Sequence, residues 1–180
     1  MIKLEYKGWM LREAKKKAEK LGSIKNSITK GKGNIAGYLA EIALAKHLGA
    51  KNISCKEGKE KYNFDLIFDD KKLECKTKRR TVDPKPEYEV SIAKTSKHQK
   101  ADVYAFLSVT FKEKRGKGLS ATYHGVDSIW LCGFMTAEEY FKKSKFMPKG
   151  KMDFSNGFKT RADMYNLPIS ELHDDFPSNI

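Results

Sequence analysis

Asp65, Glu74 and Lys76 lie close together in the stretch Asn63-Phe-Asp-Leu-Ile-Phe-Asp-Asp-Lys-Lys-Leu-Glu-Cys-Lys-Thr-Lys78. Carboxylates are hard oxygen ligands suited to a divalent cation such as Mg²⁺. A lysine beside them can orient a water or stabilise charge gathering on an oxygen. An acid and a lysine would equally suit the solvated face of an ordinary hairpin, so the elements that position them decide between the two.

Residues 64–68 and 73–77 are rich in strand formers and flank a polar turn at Asp69-Asp70-Lys71-Lys72, the pattern of a hairpin. Alternation sends Leu73, Cys75 and Thr77 to one face and Glu74, Lys76 and Lys78 to the other, with Asp65 facing the second set from the neighbouring strand. The thiol of Cys75 points away from Glu74 and Lys76 and has no histidine tied to it. It reads as a packed core group rather than a nucleophile.

A helix over 35–48, with Asn34 as N-cap and Gly49 as C-cap, precedes the hairpin. Within Leu39-Ala-Glu-Ile-Ala-Leu-Ala45, Glu41 is the only ionisable side chain. Its helical neighbours Gly37, Tyr38, Leu44 and Ala45 include no cation. A carboxylate on so apolar a helix costs free energy unless something claims it. Glu41 therefore belongs either on an exposed rim or in a site.

The other elements frame these. Met10, Leu11, Ala14, Ala18 and Leu21 form a helical stripe closed by Gly22, and residues 23–33 read as a basic loop. Residues 53–61 read as a polar connection. Tyr88, Val90 and Ile92 mark a third strand, and 102–111 is apolar enough for a central strand covered on both faces. Residues 112–118 read as a basic hairpin turn, with strands at 119–124 and 128–134 on either side of Gly125. Thr136-Ala-Glu-Glu139 fits a capping box opening a short helix. A last strand is expected at 158–165, then a turn with a short helix at 166–172 and a loose tail to Ile180. No repeat or composition break divides the chain, so one domain over 1–180, of α/β class with a mixed sheet, is expected.

Lys and Arg number 36 against 23 Asp and Glu, for a net charge of +13, which favours a polyanionic partner. Cys55, Cys75 and Cys132 are scattered, as are His47, His98, His124 and His173, which argues against a disulfide framework or a zinc site. No stretch reaches the roughly 18 apolar residues of a membrane span. Met1-Ile-Lys-Leu-Glu-Tyr6 is no signal peptide. A cytoplasmic protein without a membrane partner is expected.

Asp65 followed by Glu74-Cys75-Lys76 resembles the core of the PD-(D/E)XK nuclease superfamily, with Phe64 in place of the usual proline. The resemblance spans about residues 34–104. It implies a restriction-endonuclease-like fold, a central mixed sheet flanked by helices. It further implies Mg²⁺, with Mn²⁺ able to substitute, held by Asp65, Glu74 and the Cys75 carbonyl. Glu41 takes the part of the family's helix glutamate, and Lys76 orients water or stabilises charge. Gln99-Lys-Ala-Asp-Val-Tyr104 resembles a further motif of some members, in which a glutamine lies near the active site; a polar turn before a buried strand would look the same. The implied activity is hydrolysis of DNA, double-stranded or branched, with a Holliday-junction resolvase as a close variant and a homodimer as one form. A basic nucleic-acid-binding protein that hydrolyses nothing is the alternative.

Overall fold

The computed structural model describes residues 1–21, 34–52, 64–97, 99–116, 121–153 and 158–177. In chain order the elements are β1 (Ile2–Leu4), α1 (Gly8–Leu21), α2 (Asn34–Leu48), β2 (Lys51–Asn52), β3 (Leu66–Phe68), β4 (Lys71–Arg80), β5 (Glu89–Ala93), β6 (Val103–Arg115), β7 (Thr122–Thr136), α3 (Ala137–Lys143), β8 (Lys145–Met147), β9 (Met152–Asp153), β10 (Phe158–Lys159) and β11 (Met164–Pro168). A mixed six-stranded sheet runs β1-β7-β6-β4-β3-β2, and β4 with β6 is its parallel pair. This is the expected α/β class. The loops at 23–33 and 53–61 lie outside the described residues.

One face of the sheet is covered by α2, and α1 packs against α2. Along α2 the small residues Ala36, Ala40, Ala43 and Ala45 alternate with Leu39, Ile42 and Leu44, and all are buried. Short side chains bring the helix axis close to the sheet, where Leu73, Val103, Ala105 and Leu107 meet it. Gly49 ends the helix at φ +68°, and the Ala50 N–H reaches back to the Ala45 carbonyl at 2.9 Å, a glycine C-cap.

The opposite face differs from the expected second helical layer. A three-stranded sheet, β5-β11-β8, covers it together with the short α3. Tyr104 and Phe106 of β6 pack there against Tyr140, Val90, Ile92 and Leu167. The third expected strand therefore belongs to this second sheet, because β5 pairs with β11 along its whole length. Strand β6 is buried from Val103 to Phe111, as its apolar run requires.

Several boundaries depart from the sequence reading. Residues 112–115 continue β6 in its pairing with β7 instead of opening a turn, and 166–168 belong to β11, with only a 3-10 turn at Ile169–Glu171 after it. The hairpin turn is two residues, Asp69 and Asp70 at φ 50° and 56°, so Lys71 and Lys72 are already in β4. Gly125 does not end a strand: β7 runs continuously through it at φ +63°, with register shifts beside Thr110/Phe111 and Phe106/Leu107. The last strand is split into β10 and β11. At α3, Thr136 accepts from the Glu139 N–H at 3.1 Å, but the Glu139 carboxylate binds Lys143 and His173, so the reciprocal half of a capping box is missing.

The tail is docked as far as it is described. Phe134 and His173 exchange backbone hydrogen bonds at 2.8 and 2.9 Å. The Phe176 ring lies edge-on to Phe68 and Phe134, at centroid separations of 5.0 and 5.5 Å.

Candidate active site

The site is built where β3 begins against β4. Asp65 precedes the first paired residue of β3; its N–H donates to the Leu73 carbonyl at 2.8 Å, and its Oδ2 accepts the Cys75 N–H at 2.9 Å. One residue thus engages β4 through both backbone and side chain. The carboxylate is held at the margin of the sheet rather than above one face.

Glu74 and Lys76 lie on the face shared with Tyr104 and Phe106, since the parallel register pairs Glu74 with Tyr104 and Lys76 with Phe106. The Lys76 ammonium donates to Glu74 Oε1 at 2.8 Å and to Gln99 Oε1 at 2.7 Å. Gln99 Nε2 closes the triangle by donating to the same Glu74 oxygen at 2.8 Å. Glu74 is 6% exposed and the Lys76 side chain 17%, so these charge-assisted bonds form in surroundings where they are stronger than in water.

Gln99 reaches the triangle because its loop is clamped to β4. After a single 3-10 turn at Lys94–Ser96, the Gln99 N–H bonds the Ser96 carbonyl at 3.1 Å. Asp102 then accepts the Lys72 N–H on Oδ2 at 2.8 Å and donates its own N–H to the Lys72 carbonyl at 2.9 Å. That pair of bonds starts the parallel ladder and fixes Gln99 over Lys76.

Glu41 comes from the α2 side and is 7% exposed, so the structure places it in the interior and not on a rim. Its charge is felt at Asp65. Burial, then Glu41 and Glu74, push the Asp65 carboxyl well above the usual carboxylate range, against the Cys75 N–H and Lys76, which pull it down. The Cys75 thiol is pushed well up by burial and then by the same three carboxylates, which makes a thiolate nucleophile unfavourable there. Its side chain packs on the helical face.

Sequence reasoning did not single out Tyr104 as a site residue. Its hydroxyl is buried without a hydrogen-bond partner among the described residues, and burial and the charge of Glu74 push it up to about 12. Lys76 lies 5.9 Å from its ring centroid. Only the strand register places Tyr104 beside Glu74. In the sequence it is one aromatic in an apolar run.

The donor set fits a hard divalent cation: carboxylate oxygens of Asp65 and Glu74, the Cys75 carbonyl between them, and Glu41 nearby. The electrostatics fit as well, because crowded carboxylates that raise Asp65 are what a bound cation relieves. Among the described residues no three His, Cys, Asp or Glu side chains already lie close enough to ligate one ion. Loading would require the carboxylates to turn toward it.

Trp9 is 42% exposed. Tyr88 and Tyr123 are partly buried, each with an arginine on its ring: Arg80 at 4.8 Å and Arg79 at 4.6 Å. Among the described residues no helix is long and apolar enough to cross a membrane. No family model matches this chain, and comparisons with curated proteins and with solved structures likewise find no match.

Proposed function

We propose that this chain is a Mg²⁺-dependent deoxyribonuclease of restriction-endonuclease-like fold, hydrolysing phosphodiester bonds of double-stranded or branched DNA. One observation carries the reading: a half-buried lysine is locked to Glu74 and Gln99 beside a second carboxylate, Asp65, whose ionisation its surroundings oppose. An ordinary solvated hairpin face has no use for such an arrangement.

Asp65 and Glu74 would hold the metal, with the Cys75 carbonyl and Glu41 completing or extending the set. Mg²⁺ supplies Lewis-acid stabilisation of a phosphoryl oxygen and acidifies a bound water. The rest falls to the chain's own residues. Asp65 is anchored through one oxygen by the Cys75 N–H, which leaves the other oxygen to turn toward the cation. Lys76, fixed at two points, offers its remaining N–H to the attacking water or to a non-bridging phosphate oxygen. Gln99 is a positioning residue: it touches both members of the ion pair and keeps the ammonium over the carboxylates.

The net charge of +13 supplies affinity for a polyanion without sequence information. DNA in preference to RNA rests on the resemblance to the PD-(D/E)XK superfamily, as do the resolvase variant and the homodimer. Nicking of supercoiled plasmid in Mg²⁺ against EDTA tests the reading. Metal-dependent nicking abolished by Glu74→Ala supports it. Tight binding without nicking, across duplex and branched substrates, favours the non-catalytic alternative.

A further inference from the structure

The face of β4 that carries Glu74 and Lys76 continues through Lys78 to Arg80, at about 6.6 Å per alternate residue. Lys78 Nζ donates to the Glu89 carbonyl at 2.7 Å, and Arg80 Nη2 approaches the same oxygen at 3.4 Å. The guanidinium lies over Tyr88. The Arg80 Nε–H is buried and has no acceptor among the described residues. Burial pulls the arginine below its ordinary pKa, and the titratable groups that oppose this are Cys132 and Tyr88, neither of them a carboxylate. Glu89 Oε2 accepts instead from Asn166 at 3.0 Å.

A guanidinium taken partly out of water, with one long bond to a neutral carbonyl and a buried N–H unanswered, is costly for the fold alone. It is well prepared for an anion, because planar N–H donors and a flanking ammonium match a phosphate. We propose that Lys78 and Arg80 form a phosphate-binding site on β4, separate from the Asp65–Glu74 centre. On the deoxyribonuclease reading, on which this assignment of source rests, the ligand is a phosphodiester of the bound strand, which then runs along β4. The separation of alternate strand residues is close to that of successive phosphates along one nucleic-acid strand. The other source of the same chemistry is a free phosphate compound.

The experiment compares wild type with Arg80→Met, Lys78→Met and, as a control on the exposed side of α1, Lys16→Met. Binding of a fluorescein-labelled 12-base-pair DNA duplex is followed by anisotropy in EDTA over a salt series. Melting temperatures are taken with and without inorganic phosphate. We expect Arg80→Met to weaken duplex binding roughly tenfold more than the control does, and to lower the salt slope by about 0.9. Its melting temperature without phosphate should hold or rise, since an unanswered buried donor is removed.

Affinity equal to that of the Lys16→Met control overturns the site, whatever the cleavage assay shows. Loss of melting temperature with unchanged affinity does the same and makes Arg80 structural. Where Arg80→Met loses both, Lys78→Met decides: weaker binding at an unchanged melting temperature supports the site, and wild-type binding overturns it. If wild type ignores the oligonucleotide but phosphate stabilises it and not Arg80→Met, the anion site stands and the deoxyribonuclease reading falls.

Discussion

The Asp65 carboxylate accepts the Cys75 N–H at 2.9 Å, so the acid is tied to the middle residue of the Glu-Cys-Lys triplet rather than to either charged side chain. This bond holds Asp65 beside Glu74 and within the field of Glu41, although burial and both neighbours oppose its ionisation. The fold keeps an acid where its charged form is disfavoured.

Asp65 should therefore impose a pH-dependent penalty. Its folded pKa lies above the ordinary 3.8, so between those two values the native state binds more protons than the unfolded chain. The contribution of Asp65 to stability accordingly falls as pH rises from about 4 through the raised value, and the penalty persists above it. Asp65→Asn keeps an oxygen for the Cys75 N–H and removes the charge. We expect the variant to melt above wild type at pH 7 and the gap to close toward pH 4. Melting curves in EDTA check it; a constant gap across that range contradicts it.

A divalent cation should reverse the same penalty. At about a hundred times its dissociation constant a ligand stabilises by roughly 2.7 kcal/mol. For a domain of this size each kcal/mol is worth about 2–4 °C. We expect millimolar Mg²⁺ or Mn²⁺ to raise the wild-type melting temperature by several degrees and to leave Asp65→Asn almost unmoved. Equal shifts in the two proteins would place the metal elsewhere.

Gln99→Leu breaks two of the three sides of the Glu74–Lys76–Gln99 triangle and leaves the ion pair. Groups that orient such a site without reacting typically cost about 10–100-fold when lost. We expect a cleavage rate reduced by that much, with DNA affinity within a few-fold of wild type. An unchanged rate would remove Gln99 from the site.

Much of the site was legible in the sequence, and the reasons are local. Strand alternation alone put Glu74 and Lys76 side by side, and an unexplained carboxylate in an alanine-rich helix pointed to Glu41. Lost were features set by distant partners. The pairing of β5 with β11 joins Val90 to Leu167 and builds a layer that no local pattern announces. Gly125 read as a break between two strands because a glycine looks the same in sequence whether it ends a strand or lets one bend, as it does here at positive φ. Asp69-Asp70 lacks the glycine usual in a two-residue turn, so the turn looked longer than it is. Tyr104 joins the site through register alone.

Gly133 tests the docked tail in the same terms. At φ +148° an added Cβ would lie 2.7 Å from the His173 carbonyl oxygen and 2.7 Å from Leu172 Cβ. Gly133→Ala should cost more than about 1 kcal/mol, combining backbone strain with displacement of the tail. Denaturant melts measure it, and a neutral effect would mean that the tail does not hold that position in solution.

The most direct test is plasmid nicking by wild type, Glu74→Ala and Lys76→Ala, each in Mg²⁺ and in EDTA, with binding measured alongside. We expect nicking by wild type in Mg²⁺ alone, loss of it in both variants, and DNA affinity within a few-fold of wild type in all three. Comparable nicking by all three proteins, or nicking by wild type that persists in EDTA, would contradict the assignment of Asp65, Glu74 and Lys76 as a metal-dependent phosphodiesterase centre.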